Sequence, residues 1–337
     1  MAVTLLEKYT KQENHLLRRT AKPRQTGKHS DSNKYPTMNQ VFDDWLTNVR
    51  PSIKKTTYST YTSIINNHLR PILGDLPVLS LAESNISEFM TEMCSESSGL
   101  SRTTIRGIAS ILKSVLEFGK DYGCTARPET CKFSLKTRRA GINVLTDDEI
   151  SKLSAVLGNY PKDKDLGVLL SLKTGLRVGE VCALKWGDIS LSEGYLFVNR
   201  TIQRIKQVDE GDEKTILYFG EPKSLNSRRK VPLSPTMIDL LGIRQMPDEC
   251  YVVSGRSDKT VEPRSMQRRF KTVLKKAGIR DLNFHVLRHT FSTKCIERGF
   301  DVKSLSMILG HSDVNTTMNV YVHPSFEKMQ DMMALMD

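Results

Sequence analysis

Long apolar runs are missing from this sequence of 337 residues, which argues against a protein that spans a membrane. No stretch approaches the roughly 18 apolar residues that a transmembrane helix needs, and the N-terminus lacks the apolar core of a secretory signal. Paired CxxC spacings are also missing, although there are six cysteines, at positions 94, 124, 131, 182, 250 and 295. We therefore expect reduced thiols in a cytoplasmic protein, with no metal site built from cysteine.

Positive charge is in clear excess. The chain has 50 lysine and arginine residues against 38 aspartate and glutamate residues, which gives a formal net charge of +12. This excess points to a polyanionic partner, most simply nucleic acid. An anionic membrane surface is the competing partner, but a sequence without a spanning segment favours it less. The length, with 38% hydrophobic residues, is sufficient for two packed domains.

Residues 1–36 form a basic N-terminal extension with few acidic residues. Its positive charges include Arg18, Arg19, Lys22, Arg24, Lys28 and Lys34. Such a stretch is either a mobile arm that neutralises phosphates or a solvated tail, and the sequence leaves both open.

Residues 37–131 show helical periodicity and nothing strand-like. Val41, Trp45 and Val49 recur at i, i+4 and i+8, and a second apolar face lies within residues 105–118. The pattern predicts a small domain of four or five short helices. Two helix starts combine hydroxyl and basic groups, which suits phosphate because free backbone N–H groups and the helix dipole favour anions. The candidate DNA-binding residues there are Lys55, Thr57, Arg102, Thr103 and Arg106.

Ordinary N-capping by serine and threonine is the alternative at each of these helix starts, since it needs no ligand. Residues 132–143 are basic and aperiodic, and they are predicted to link the helical domain to the next. Arg138 and Arg139 in this linker could track a DNA backbone, and they complete the set of candidate DNA-binding residues.

The second domain, predicted over residues 144–323, mixes helices and strands. Thr146 precedes Glu149 by three positions, the pattern of a capping box that opens a helix. Three β-rich segments suggest a three-stranded antiparallel sheet, over residues 195–198, 215–219 and 229–233. Residues 324–337 are predicted to form a C-terminal tail helix. The expected fold class is multidomain α+β, with a helical domain before a mixed α/β domain that has a small antiparallel sheet.

Six chemically informative residues occur in short motifs through the second domain. They are Arg177 within Thr-Gly-Leu-Arg, Lys223 within Pro-Lys-Ser, His285 and Arg288 within His-Val-Leu-Arg-His, His311 within Leu-Gly-His, and Tyr321. Each motif is weak alone. Six residues in this order, at domain-scale spacing, are improbable by chance.

With this series, residues 37–337 resemble a tyrosine recombinase, the integrase family of phages and mobile elements. The resemblance implies an N-terminal SAM-like domain that binds the core DNA site and a C-terminal catalytic domain. It also implies site-specific breakage and rejoining of DNA through a 3′-phosphotyrosyl intermediate, with no metal, ATP or other cofactor. The ten positions from His311 to Tyr321 are one more than many members show.

Two arginines suit the charge that phosphoryl transfer develops. The transition state gathers negative charge on the non-bridging oxygens, which Arg177 and Arg288 would clamp with planar guanidinium groups. Glu180, three residues after Arg177, could orient it. For Arg177 taken alone, an ordinary helix-surface ion pair with Glu180 is the alternative.

The remaining residues of the series are candidates for the nucleophile, the proton acceptor and the proton donor. Tyr321 would attack phosphorus, and because tyrosine has a reference pKa of about 10, it needs a base. His285 is the candidate proton acceptor, and His311 would hydrogen-bond the phosphate or the leaving oxygen. Lys223 resembles the general acid that the family uses for the departing 5′-oxygen. His289 is expected to be structural.

Neighbouring residues compete for two of these roles. Lys206, Lys214 and Lys230 lie on segments close to Lys223 in sequence, and a register shift could exchange them. Tyr218 and Tyr251 compete with Tyr321, but neither follows a Leu-Gly-His motif.

The resemblance also implies partners. We expect double-stranded DNA with attachment or core sites, a tetramer assembled on DNA, and accessory DNA-bending or excision factors. Integration and excision of a phage or other mobile element is the preferred function, because the N-terminal extension exceeds what a compact housekeeping relative needs. The alternatives are an Xer-like resolvase of DNA multimers, a type IB topoisomerase, and a non-catalytic DNA-binding regulator. The tail helix could dock in cis or on a neighbouring protomer.

Overall fold

The computed structural model describes residues 35–127, 143–161, 163–207, 215–220 and 228–311, with Val314, Gln330 and Ala334 beyond them. Nearly all residues of the N-terminal extension, the linker and the tail helix lie outside the described residues, so the predictions for these three segments stay predictions. The chain divides into two compact units near residue 140, and the end of one later strand, at residues 205–206, is counted with the first.

The first unit is built from helices. They are α1 (Met38–Val49), α2 (Lys55–Ile64), α3 (Arg70–Leu73), α4 (Glu83–Cys94) and α5 (Arg102–Gly119). A π-helical turn, Ile65–Leu69, joins α2 to α3, and short 3-10 turns lie at Arg50–Ser52, Val78–Ser80, Glu96–Ser98 and Lys120–Tyr122. Residues 35–127 contain no strand, as the helical periodicity predicts.

The core of the first unit is formed by the predicted apolar faces. Val41, Trp45 and Val49 of α1 are 0%, 3% and 1% exposed, so the predicted stripe is confirmed. This face packs against α5, where Ile108 and Leu112 have no exposed surface. Apolar burial of this kind is the main force that holds short helices together.

Two helix starts of the first unit are capped by side chains. The Gln40 amide oxygen accepts a hydrogen bond from the Thr37 backbone N–H at 2.9 Å. At α5 the Ser101 hydroxyl accepts from the Thr104 backbone N–H at 3.1 Å. The start of α5 therefore has the ordinary N-cap that was the alternative to phosphate binding there.

The second unit mixes helices and strands. Its helices are α6 (Asp147–Leu157), α7 (Asp163–Thr174), α8 (Val178–Ala183), α9 (Pro235–Gly242), α10 (Pro263–Lys276), α11 (Val286–Glu297) and α12 (Val302–Leu309), with a 3-10 turn at Trp186–Asp188. Its strands are β1 (Ile189–Ser190), β2 (Tyr195–Val198), β3 (Thr201–Lys206), β4 (Thr215–Gly220) and β5 (Arg229–Pro232). Helix α7 is central, since it contacts α6, α8, α10 and α11.

The strands form two sheets, which corrects the sequence prediction. β1, β2 and β5 make an antiparallel sheet in the order β1-β2-β5, while β3 and β4 pair separately. The prediction that residues 215–219 share a sheet with residues 195–198 and 229–233 is wrong. The partner of that segment is β3, whose only buried residue is Ile202, so its apolar alternation is too weak to reveal a strand.

Alternation along β5 decides what points into the core of the second unit. Arg229 and Val231 lie on the buried face of this strand, while Lys230 and Pro232 are exposed. In the antiparallel register, Arg229 lies opposite Val198 and Val231 lies opposite Leu196. A charged side chain thus enters the core from a position that a strand normally gives to an apolar residue.

The predicted capping box of the second unit is confirmed. The Thr146 backbone N–H donates to Glu149 Oε2 at 3.0 Å, and the Glu149 backbone N–H donates to the Thr146 hydroxyl at 3.2 Å. Just before it, the Leu145 backbone N–H donates to the buried Thr290 hydroxyl at 2.9 Å. The start of α6 is therefore tied to α11.

Candidate active site

Arg177 stands at the start of α8, directly after a turn that favours glycine. Gly175 has a φ of +69°, and a Cβ there would lie 2.6 Å from a ring carbon of Phe291 on α11. The Ser171 hydroxyl donates to the Leu176 carbonyl oxygen at 2.8 Å. These contacts hold the Thr-Gly-Leu-Arg motif against α11.

Glu180 orients Arg177 from one turn further along α8. Its Oε1 accepts from Nη1 of Arg177 at 2.8 Å, and its Oε2 accepts from the Arg177 backbone N–H at 3.0 Å. The Arg177 side chain is 38% exposed, whereas that of Glu180 is 4% exposed. The Arg177 side chain is thus held by Glu180 and still partly exposed to solvent, which suits binding of an anion.

Arg229 binds the same carboxylate. Its Nη1 donates to Glu180 Oε1 at 3.2 Å, and its Nη2 donates to Glu180 Oε2 at 3.0 Å. Burial raises the pKa of Glu180, but the positive charges of Arg229 and Arg177 outweigh burial and lower it to about 2. Glu180 therefore stays ionised throughout the pH range in which the protein would be studied.

Arg288, which lies on α11, donates hydrogen bonds to two other backbone segments. Its Nη1 donates to the Gly175 carbonyl oxygen at 2.8 Å, and its Nη2 donates to the Leu309 carbonyl oxygen at 2.7 Å. The residue is 2% exposed, so it is far more buried than a phosphate clamp alone requires. Since guanidinium has five N–H donors, these two bonds do not exhaust its capacity. Arg288 brings the segment before Arg177 to the end of α12.

The three histidines of the motifs lie at helix ends. His285 precedes α11 and His289 lies in its first turn, with ring centroids 4.6 Å apart and nearly perpendicular planes. His311 follows Gly310, which ends α12 in the left-handed conformation, with a φ of +66°. The His311 backbone N–H donates to the Ser306 carbonyl oxygen at 3.1 Å. The Leu-Gly-His motif is therefore a helix C-cap that turns the chain toward the site.

Partial desolvation and positive charge lower the pKa of these imidazoles. Desolvation, with the charges of His289 and Arg288, lowers the pKa of His285 to about 4, although this residue lies at the surface of the site and is exposed. Burial and three guanidinium charges, with Arg288 the strongest, lower the pKa of His311 to about 3. Burial also lowers the pKa of His289, with a contribution from Arg288. A neutral imidazole accepts a proton, so His285 and His311 are in the form that a general base requires.

The cluster carries a net positive charge that matches a phosphodiester. The guanidinium groups of Arg177, Arg229 and Arg288 surround the single carboxylate of Glu180, which leaves two positive charges in excess. A phosphodiester has one negative charge, and attack on phosphorus adds to it on the non-bridging oxygens. The described residues contain no group of three or more side chains suited to hold a metal ion.

Acidification is expected to destabilise the protein between about pH 6.5 and pH 5. The ordinary histidine pKa of 6.5 applies in the unfolded chain, while the folded values of His285 and His311 are about 4 and about 3. The unfolded state therefore binds more protons in this window, and stability present above pH 6.5 is lost as the pH falls. We expect a loss of about 1–2 kcal/mol in the free energy of unfolding, measured with urea at pH 7 and pH 5, and carried mainly by the half-buried His311, because His285 is exposed and solvent screens its share.

The control is the variant with His285→Gln, His289→Gln and His311→Gln, which should lose most of this pH dependence, since the pKa of His289 is lowered as well. Glu180 does not contribute in this window, because its shift from 4.5 to about 2 acts only at lower pH. An equally steep dependence in the variant would show that other groups cause the loss.

The structure brings together four of the six predicted catalytic residues, Arg177, His285, Arg288 and His311. Lys223 and Tyr321 lie outside the described residues. Of the candidate DNA-binding residues, Lys55, Arg102 and Thr103 are exposed, Thr57 and Arg106 are half-buried, and all five lie on α2 or α5, which pack against each other. Arg138 and Arg139 lie outside the described residues.

Sequence reasoning missed two features. One is Arg229, whose position in the alternation of β5 was the available signal, because it shares a face with Val231. The other is helix α10, which has six basic residues and no acidic residue. Two of them pair with acids, Arg269 with Asp165 and Lys271 with Asp281. The exposed remainder, a candidate polyanion surface, is Arg264, Arg268, Lys275 and Lys276.

Family comparison agrees with the fold and with this site. Residues 143–328, more than half of the chain, match the phage integrase family, and residues 37–94 match the phage integrase N-terminal SAM-like domain. The chain belongs to the phage integrase family. It is a tyrosine recombinase, an enzyme of site-specific DNA recombination. The family resemblance and the fold class inferred from the sequence are confirmed.

Similar proteins include recombinases of bacteria and archaea. A tyrosine recombinase XerC-like protein of Caldanaerobacter subterraneus is 29% identical over 316 residues, which cover 85% of this chain and 79% of that protein. The tyrosine recombinase XerA of Pyrococcus furiosus is 29% identical over 284 residues, which cover 71% of this chain and 89% of that protein.

Two solved structures share the fold. The Tn1549 transposon integrase, in complex with a circular intermediate DNA, has a TM-score of 0.70 at 22% identity and covers 89% of this chain and 99% of that one. A lambda integrase tetramer bound to a Holliday junction has a TM-score of 0.63 at 19% identity. The match covers 89% of this chain and 84% of that one. No helix among the described residues combines the length and apolarity needed to cross a bilayer.

Proposed function

We propose that this recombinase cuts one DNA strand by attack of the Tyr321 hydroxyl on a phosphate held by Arg177 and Arg288. The observation that supports it most is the cluster itself, in which a solvent-reaching Arg177 is held by Glu180 beside neutral His285 and His311. Such a site binds the phosphate anion and offers a base without a change of protonation.

Cleavage exchanges one oxygen on phosphorus for another. The Oη–P bond forms as the P–O5′ bond breaks, the Tyr321 proton passes to His285, and the departing 5′-oxygen takes a proton from Lys223. The DNA keeps a 3′-phosphotyrosyl link, so its phosphodiester energy is retained in the intermediate. A 5′-hydroxyl of another strand then reverses the step and completes exchange. The roles of Tyr321 and Lys223 rest on their motif contexts.

Duplex DNA with core or attachment sites is the proposed substrate. The net charge of +12 and the exposed basic residues of α10 support contact with the phosphate backbone. In the helical domain, the candidates are Lys55, Thr57, Arg102, Thr103 and Arg106. In the linker, they are Arg138 and Arg139. We further propose a tetramer on DNA, by analogy with the lambda integrase tetramer on a Holliday junction.

Integration and excision of a phage or other mobile element is the proposed biological role. The basic segment before the SAM-like domain supports it. An Xer-like resolvase is the second candidate, because the similar proteins at 29% identity are named XerC-like and XerA.

Covalent trapping tests the proposed chemistry. Labelled, nicked duplexes from the DNA that flanks the gene are incubated with wild-type protein and EDTA, and the products are run on an SDS gel. We expect a protease-sensitive adduct on the nicked strand, formed at an intact phosphodiester close to the nick and joined through the 3′-phosphate that cleavage leaves, while the short fragment with the 5′-hydroxyl is released. Specific binding with no adduct on several nicked sites would contradict cleavage and favour a DNA-binding regulator. Joined ends of an excised circle would favour the mobile-element role over the resolvase.

A further inference from the structure

Arg229 touches two segments of the active site from a single buried position. It donates to both oxygens of Glu180, and its Nε donates to the Ile308 carbonyl oxygen at 2.5 Å. The Arg229 side chain is 5% exposed, so it is enclosed by the protein and has no open side toward solvent. In this respect Arg229 differs from Arg177, whose side chain is partly exposed to solvent.

Each oxygen of Glu180 is shared between Arg229 and Arg177. Oε1 accepts from Nη1 of Arg177 and from Nη1 of Arg229, and Oε2 accepts from the Arg177 backbone N–H and from Nη2 of Arg229. A carboxylate has enough lone pairs for all four bonds. The bidentate grip of Arg229 thereby fixes the plane of the carboxylate that orients Arg177.

The turn that presents His311 rests on the same guanidinium group. Gly310 has a φ of +66°, and a Cβ at this position would lie 2.9 Å from both Cδ and Nη1 of Arg229. With the bond to Ile308, Arg229 thus sets how closely the end of α12 approaches the sheet. The glycine of the Leu-Gly-His motif is required twice, by its backbone conformation and by the Arg229 side chain beneath it.

Stability alone does not account for a buried ion pair of this kind. Replacing such a pair with apolar residues of similar volume is often neutral or stabilising, because both charges lose their hydration on burial. What an apolar pair cannot do is hold a carboxylate in one orientation.

We propose that Arg229 is a positioning residue for strand cleavage, which holds Arg177 toward the scissile phosphate through Glu180 and seats the turn that presents His311. It has no contact with substrate in this role. The inference deepens the proposed function and rests on it.

The test measures cleavage and binding separately. Single-turnover adduct formation on a nicked duplex is followed at saturating protein with wild type, Arg229→Met and Arg229→Lys. We expect the rate constant to fall on the order of 10²-fold in both variants, as when a preorganised transition-state donor is lost. The DNA dissociation constant should change less than about threefold, because Arg229 is enclosed. Lysine keeps the charge but cannot bind both oxygens in a fork.

Arg200→Met is the matched control. Arg200 lies in the same unit and donates to Asp188, whose side chain is 7% exposed, at 2.9 Å. This variant also breaks an arginine pair with a buried carboxylate, but the donors to that carboxylate are Lys185, Asn199 and Arg200 rather than Arg177. It should cleave at close to the wild-type rate at a temperature where circular dichroism shows all variants folded.

A neutral substrate separates positioning from a structural defect. With a methylphosphonate at the scissile position, one non-bridging oxygen and its negative charge are gone, so correct placement of Arg177 matters less. We expect wild type and Arg229→Met to differ far less on this substrate than on the phosphodiester. A purely structural defect would lower both rates by the same factor.

The outcomes are distinct. If wild type forms no adduct on any nicked site, the proposed function fails. If wild type forms an adduct and both Arg229 variants cleave within about threefold of it, the positioning role alone is overturned. Equal defects on the charged and neutral substrates would also overturn it. If Arg229→Met fails to fold, the Arg229→Lys variant supplies the comparison.

Discussion

The Tyr321→Phe variant is expected to bind its DNA site normally and to form no covalent adduct. Phenylalanine removes only the hydroxyl, so the side-chain volume and the fold are retained while the nucleophile is lost. The expected loss is at least about 10⁴-fold, set by detection, since removing the nucleophile of a cooperating catalytic set abolishes most of its rate enhancement. Adduct formation is read on an SDS gel, and binding by a gel shift.

Two other tyrosines provide matched controls. Tyr251→Phe and Tyr218→Phe also remove one hydroxyl from the same domain, and both should form the adduct at wild-type rates. Mass spectrometry of the protease-treated adduct should place the nucleotide on the peptide that contains Tyr321. An adduct that persists in Tyr321→Phe and disappears in one of the controls would reassign the nucleophile.

Arg288→Gln is expected to lose both cleavage and stability. The carbonyl oxygens of Gly175 and Leu309 each lose a charged donor in a buried setting, which costs roughly 2–5 kcal/mol in the free energy of unfolding. The loss of a guanidinium group beside the phosphate should lower the cleavage rate constant on the order of 10³-fold. Urea denaturation and single-turnover cleavage at saturating protein measure the two effects.

Arg177→Gln is the informative comparison. Its side chain is 38% exposed, so removing it should change stability by less than about 1 kcal/mol while cleavage still falls on the order of 10²-fold. If Arg288→Gln were as stable as Arg177→Gln, its hydrogen bonds to the two carbonyl oxygens would not be the brace that the structure indicates. If it cleaved DNA normally, Arg288 would have no role at the phosphate.

Structure formed by residues close together in the sequence could be predicted, because it depends on helix periodicity and capping within one or two turns. The stripe of Val41, Trp45 and Val49 follows from helix periodicity, and the Thr146–Glu149 capping box closes within one turn. The motifs around Arg177, Arg288 and His311 also stay within short segments, so they identify the family. Their roles in cleavage remain predictions.

Contacts between residues far apart in the sequence could not be predicted and were decided only by the tertiary structure. β3 carries too few apolar residues to show that it pairs with β4, and nothing local marks Arg229 as the partner of Glu180, 49 positions away. Arg288 likewise meets the Gly175 carbonyl oxygen across 113 positions. The neutral state of His311 depends on burial and on three arginines from different elements. The sequence by itself thus identified the helices and the residue types of the site. The distances between those residues, their burial and their charge state were decided by the tertiary structure, because they depend on which distant segments pack together.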